Sequence, residues 1–326
     1  MNVYVGMIEL SVFVASAMLV IFGALILYRW WGEKKSSERR ALHTDVSRSY
    51  IQRIAGQRAD TSQAWTKPLR LEVVSHLLLL LRGGERDRLK EFAELDGLLD
   101  EALGMSRNIR AAKRIDAIRI LQQFGSAVCI ARLRRMMKTD RNPDVQLNAA
   151  FALAASDVLP PPRETITMLG MFERDSSRLD IALLRSLASK YVGHFNLLLE
   201  EDIPDKRRAM LIDALGWSGD MSVLPTLEKA ARSKDVEVRA SALRAAAQIG
   251  HPSVPWVLDL LDDESEIVRL QAANSCAVLR LRTAVPRLQR LLSDDVLWVR
   301  LRAEEALALL TTDLSNATTN KEELSK

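Results

Sequence analysis

Two apolar patterns follow one another along this chain. Near its start, Leu10 to Tyr28 (LSVFVASAMLVIFGALILY) is a run of nineteen residues without a charge. From about residue 105 onward, apolar residues instead recur at helical spacing in short segments broken by acidic turns and prolines. The first pattern predicts one membrane-spanning helix and the second predicts a stack of paired helices.

The stack declares itself through an internal period. Asp235-Val-Glu-Val-Arg239 reappears as Glu266-Ile-Val-Arg269 and again as Val296-Leu-Trp-Val-Arg300. Backwards, the same slot falls on Arg208, Arg178, Gln146 and Arg114, at a nearly constant spacing. A second anchor keeps the same period: Leu224-Pro225, Val254-Pro255 and Val285-Pro286 each open a short apolar helix that ends at an acidic turn. Proline is tolerated in a helix's first turn because the N–H it lacks would be unpaired there anyway. Each unit is therefore two helices, the second beginning near the slot. Three and six residues after the slot stand small or aliphatic residues, among them Ala117, Ala149, Ile181, Leu211, Ala242, Ala272 and Ala303. Such a stripe lets helices pack closely, and stacked pairs share one continuous core.

The chain's start reads as an anchor rather than a removable leader. A nineteen-residue helix rises about 28 Å, close to the hydrocarbon thickness of a bilayer. A leader carries positive charge before its apolar run. Here only Glu9 precedes it, at the edge of the span where it can reach water, while Trp30, Trp31, Arg29, Lys34, Lys35, Arg39 and Arg40 follow. That polarity predicts an outside amino terminus, with the bulk of the protein in the cytosol. Ser11 and Ala15 form one weak small-residue pair on this helix. The same cations also suit contact with anionic lipid headgroups. Val46, Tyr50, Ile51, Ile54 and Ala55 predict a first, irregular helix after the anchor. Leu69 to Leu81 is too short and too charged for a second span and reads as a buried helix of a degenerate cap.

Composition narrows the class. Hydrophobic residues make up 48% and aromatic ones 5%, so Leu, Ala, Val and Ile must build the interior of an all-α protein. The net charge of +4 is local: residues 29–70 carry ten Lys or Arg against four acids, whereas 71–326 carries 36 basic against 37 acidic side chains. A near-neutral array argues against a nucleic-acid partner, which calls for a basic face. Cys129 and Cys276 lie far apart in Ala- and Leu-rich contexts and read as small packing residues.

With its Leu-Pro helix, acidic turn and Val-Arg helix, the repeat resembles the HEAT family, in particular the short variant of phycobilisome-lyase-like repeats. The resemblance covers about 105–311 and implies a right-handed α-solenoid of about seven to eight helix pairs behind the transmembrane helix. It also implies a ladder in which an Asp six residues before the slot pairs with Arg side chains of adjacent repeats. Asp140, Asp202, Asp263 and Asp294 occupy that place, with Asn108 as a relative. Phe172, Ser233 and Gln146 depart from the pattern, so an interruption is expected around 146–178, near Pro160-Pro161-Pro162. The organisation that results is an anchor at 1–28, a basic juxtamembrane linker at 29–66, a cap at 67–104, the solenoid at 105–311 and a disordered tail at 312–326.

No catalytic constellation emerges. His43, His76, His194 and His251 lack ligand spacing, and Asp262, Asp263, Glu264 and Glu266 coincide with the repeat's acidic turn. No Gly-rich phosphate loop or nucleophile motif is present, and no cofactor is expected. In HEAT-like stacks the second helices line the concave side. On that resemblance the second and fifth positions after the slot face a groove, giving Arg119, Phe151, Leu183, Met210, Asp213, Arg244, Asn274 and Glu305 as candidate partner-binding residues. Phe151, Leu183 and Met210 break the polarity of these rows. They are either a binding patch, which Trp217 would extend, or core covered where the stack curls. The expectation is a non-enzymatic scaffold at the cytosolic face of a membrane, in a bacterial inner membrane, holding a membrane-associated protein. The alternatives are a lyase-like enzyme or subunit and a HEAT-type nucleic-acid binder.

Overall fold

The computed structural model of the chain describes Met18, Phe22 and residues 39–59, 65–252 and 254–323, with side chains to residue 311. The chain divides into two compact units, Met1–Cys129 and Ile130–Lys326. Among the described residues there is no strand, and no helix is long and apolar enough to cross a membrane. The segment 8–28 lies outside the described residues except for Met18 and Phe22, both helical and exposed. Arg29, Lys34 and Lys35 lie outside them as well. Arg39 and Arg40 are exposed, and Arg39 binds Glu72 at 2.7 Å.

In the first unit, helical residues 39–54 (α1) precede α2 (Lys67–Leu80), α3 (Gly83–Leu95), α4 (Leu98–Met105) and α5 (Ala111–Phe124). The irregular helix and the cap helix are both present. Val46, Tyr50 and Ile54 of α1 are buried, as are Leu71, Val74 and Leu78 of α2, while Ile51 faces out. A polar knot ties α1 to the cap. The Tyr50 hydroxyl donates to Asp96 Oδ2 at 2.7 Å, Arg53 donates to both oxygens of Asp96, and Arg70 donates to the Tyr50 oxygen. Burial, followed by the Asp96 carboxylate, pushes the Tyr50 phenol up to about 12.

The boundary between the units falls within α6 (Ala127–Thr139). Beyond it come α7 (Pro143–Ala155), α8 (Pro162–Met168), α9 (Arg178–Ala188), α10 (Val192–Glu200), α11 (Asp205–Leu215), α12 (Leu224–Ala231) and α13 (Val236–Ile249). Then follow α14 (Trp256–Asp259), α15 (Glu266–Val278), α16 (Val285–Leu291) and α17 (Leu297–Glu323). The second helices α7, α9, α11, α13, α15 and α17 pack each on the next. Pro143, Pro162, Pro225 and Pro286 sit in first turns, and Asp235 caps α13 by accepting from the Val238 amide at 2.9 Å. Gly250, at φ 76°, stops that helix in the left-handed region. At the far end α17 continues to Glu323. The stretch holds no Gly or Pro to end a helix.

The slot arginines do two things at once. Arg239 Nη1 donates to the carbonyls of Ser233 and Lys234, closing the end of the preceding helix turn. Its Nε and Nη2 donate to the two oxygens of Asp263 in the next repeat, both at 2.8 Å. Arg269 repeats the pattern on the Asp263 and Glu264 carbonyls and on Asp294, and Arg300 donates to the Asp294 and Asp295 carbonyls. The expected ladder thus runs unbroken from Arg239 to Arg300.

Upstream it changes character. Gln146 keeps only the carbonyl bond, to Asp140 at 3.0 Å. Arg178 and Asp202 are both exposed and form no rung. In α9 the slot itself lies two residues later than the period predicts. In α7, α11, α13 and α15 the residues three, four and seven after the slot are buried; in α9 the buried set is Leu183, Leu184 and Leu187, which places the slot at Asp180. The interval before α9 is lengthened, and the one after it is shortened to match. The two residue types are exchanged there, and the pair closes within one repeat rather than between two: Arg174 stands six residues before the slot, where an Asp is expected, and binds the buried Asp180 with both Nη atoms at 2.7 and 2.6 Å.

Candidate functional site

The slot at Asp180 decides which side chains meet. Leu183 is completely buried and belongs to the core stripe, so its assignment to a partner-binding face is corrected. Arg185, five residues after Asp180, takes the outward place instead. It lies beside Met210 and Asp213 of α11 and Ser241 and Arg244 of α13, in a cavity of about 650 Å³ spanning three consecutive repeats. Ile181, Asp175, Lys206 and Glu237 complete the walls.

Charge is interleaved across this groove. Asp213 sits between two cations, 2.8 Å from Arg185 Nη2 and 3.4 Å from Arg244 Nε. Arg244 also reaches Glu237 and the Ser241 hydroxyl, each at 2.6 Å. At the rim Lys206 donates to Asp175 at 3.0 Å, and this bond holds the Asp175 carboxyl below the usual carboxylate range. The Arg185 guanidinium lies 4.6 Å from the Trp217 ring centroid, a cation–π contact, while its Nε is buried without a hydrogen-bond partner. Trp217 itself is 46% exposed.

Gly216 makes that placement possible. A Cβ there would stand 2.6 Å from Ala245 Cα, so only glycine lets α11 end hard against α13 and turn Trp217 outward.

Of the sequence-predicted site residues, Met210, Asp213 and Arg244 come together here. Phe151 in α7 and Asn274 in α15 are half-buried and lie outside this cavity. Glu305 is exposed and held 2.8 Å from Arg302; Arg119, in the first unit, is exposed and lies 3.7 Å from Asp116. Arg185 and Lys206 were missed. The signal that finds Arg185 is local: Ser177 and Asp180 form a capping box, which sets the start of α9 more firmly than the average period does.

The acidic turn at 262–266 is occupied by arginines: Asp262 lies 3.6 Å from both Arg287 and Arg290, and Asp263 binds Arg239. Among the described residues no three His, Cys, Asp or Glu side chains are grouped so as to hold a metal ion.

Residues 195–264 and 233–308 match the HEAT-repeat family. No curated protein matches the chain. Among solved structures it is similar to human deoxyhypusine hydroxylase in complex with glycerol, at 15% identity and a TM-score of 0.33, covering 85% of this chain and 99% of that one. It is also similar to the CpcE–CpcF complex of phycocyanin lyase from Nostoc sp., at 14% identity and a TM-score of 0.32, covering 65% and 94%. A designed armadillo repeat protein matches at 19% identity and a TM-score of 0.26, covering 73% and 99%.

Proposed function

We propose that this chain is a non-enzymatic, membrane-tethered scaffold whose second-helix face, between α9 and α13, receives a segment of another protein. The observation that carries this reading is the groove: Met210 and an alternating row of charges built from three repeats, with Arg185 in its wall also stacked on the half-exposed Trp217. Trp and Arg supply a large share of the binding energy in protein interfaces, and solenoid faces offer extended surfaces for such contacts. The match to HEAT repeats supports the same class of partner.

The tether is supported by the sequence: nineteen uncharged residues followed by Trp30, Trp31 and a basic segment. Holding the repeats at the cytosolic face of a cell membrane, a bacterial inner membrane on this reading, raises the effective concentration of partners in the same membrane. Arg39 and Arg40 would add contact with anionic lipid.

The test places a photo-crosslinking residue at Met210 in the full chain in intact membranes. The expected result is one specific membrane-associated protein, captured by this chain and lost on Trp217→Ala. Crosslinks only to lipid, or capture unaffected by Trp217→Ala, would overturn the groove. Alkaline extraction tests the tether separately: release of the full chain from the membrane pellet would refute it.

A further inference from the structure

A second cavity, lined by the first helices α10 and α12 together with residues of α11 and α13, lies where the ladder lacks an acid. Arg239 finds Asp263 and Arg269 finds Asp294, in each case the acid that opens the next repeat's turn. The matching place for Arg208 holds Ser233. Ser233 performs the local half of the aspartate's work: its hydroxyl accepts from the Asp235 amide at 3.2 Å, as Asp263 accepts from Ser265 and Asp294 from Val296. It has no carboxylate to offer Arg208. Two of the five N–H groups of Arg208 go to the Leu199 and Glu201 carbonyls, and the acid beside it, Asp205, stands 3.8 Å away. Its side chain is 26% exposed, against 13% for Arg239 and 17% for Arg269.

Arg208 and Ser233 both line a cavity of about 420 Å³, within the size range of small-molecule sites. Leu199, Ile212 and Val238 give it an apolar wall, and Thr226 donating to Asn196 at 3.1 Å closes one side. Its charged members are Arg208 and Lys229 against Glu200, an excess of one cation.

We propose that this cavity binds a small amphipathic carboxylate, whose apolar chain lies on Leu199, Ile212 and Val238 and whose carboxylate pairs with Arg208 where the neighbouring repeats supply an aspartate. The recognition is the ladder's in kind: a guanidinium meets a carboxylate through the N–H groups that the Leu199 and Glu201 carbonyls leave over, in a site partly screened from water. This inference stands apart from the protein-binding reading: both cavities draw on α11 and α13, but they share no lining residue.

The test titrates the full chain with hexanoate, and with hexanol as a neutral probe of the same length, by ligand-detected NMR. Hexanoate is expected to bind at least about tenfold more tightly, the lower end for a charge-assisted hydrogen bond. Ser233→Asp supplies the missing carboxylate from the chain itself, so this variant is expected to melt higher and to lose hexanoate binding by a similar factor. Arg208→Gln should remove the preference for hexanoate over hexanol. Equal binding of the two probes to the wild type, or no binding by either, would overturn the proposal. So would undiminished hexanoate binding in a folded Ser233→Asp variant.

Discussion

Asp180→Asn tests the exchanged Arg174–Asp180 pair at α9. The Asp180 side chain is wholly buried and accepts four bonds: two from Arg174, one from the Ser177 amide at 2.7 Å and one from the Ser177 hydroxyl at 2.8 Å. Asparagine keeps one acceptor oxygen for Ser177 but turns an NH₂ toward Arg174, setting donor against donor. A lost charge-assisted bond and an unmatched buried donor would together cost about 3–5 kcal/mol. Arg174 is 29% exposed and can turn partly to water, so the lower end, about 3 kcal/mol, is the working figure. For a unit of this size that corresponds to a fall in Tm of about 6–12 °C. Burial alone would raise the Asp180 carboxyl, but the bonds from Arg174 and Ser177 outweigh it and hold it below the ordinary value. A carboxyl lowered by folding stabilises above its unfolded pKa, near 4, and that contribution disappears as pH falls through the folded value. Asp180→Asn should therefore flatten the acid arm of the stability profile. Thermal melts of the two single variants, Asp180→Asn and Arg174→Met, and of their double variant complete a cycle. Hydrogen exchange at the Asp180 amide reports whether the start of α9 opens. A coupling below about 0.5 kcal/mol would refute the claim that this pair holds the start of α9.

Further predictions concern core, packing and thiol. Leu183→Ala should cost about 2–5 kcal/mol, read by urea titration, and Leu183→Asp should prevent the α9 repeat from folding. A surface-like change for Leu183→Ala, below about 0.5 kcal/mol, would return that residue to the groove. Gly216→Ala should destabilise by about 1–3 kcal/mol, because its Cβ would collide with the Ala245 backbone, and should quench or shift Trp217 fluorescence as α11 moves. Cys276 is buried, and burial pushes its thiol up to about 12. It should resist a thiol reagent at mildly alkaline pH until the chain is unfolded, and prompt labelling of the native protein, localised by mass spectrometry, would contradict the packing.

The period, the slot arginines and the Asp263 and Asp294 rungs were legible because one chemical rule repeats at fixed spacing: a guanidinium closes its own helix turn and reaches forward to a carboxylate. The helix at 39–54 was legible for a similar reason, since Val46, Tyr50 and Ile54 return at helical spacing and are buried. The register of α9 was not. An average period slides over two residues inserted between α8 and α9, whereas the chain obeys the local capping box of Ser177 and Asp180. That slip put Leu183 on the wrong face and hid Arg185. It could have been caught from Arg174 and Asp180, six residues apart with signs reversed. It also shows why face assignments are less secure than element assignments: a shift of two residues turns a helix by about 200°.

Both candidate cavities lie in the half of the second unit where the ladder departs from its rule. From Arg239 to Arg300 each guanidinium closes its helix turn, and the Asp263 and Asp294 carboxylates each accept both an arginine and a turn amide, so the polar groups between repeats are matched within the chain. From Arg174 to Ser233 the regular rungs are missing, and Arg185 Nε is buried without a partner. At α9 Arg174 and Arg207 bind loop groups near the groove and Arg185 stands in its wall; with Ser233 in place of an aspartate, Arg208 lines the second cavity. A stack that needed only to be stable would have no reason to depart here, since the regular rung is available at the next repeat. Local departures from an otherwise consistent rule mark places where something besides folding sets the residue. Restoring the rule at one place should then raise stability and remove binding there while leaving the other cavity's ligand unaffected. Ser233→Asp is that change. An unaltered melting temperature together with undiminished hexanoate binding would mean that the irregular half is merely tolerated, not selected for what it binds.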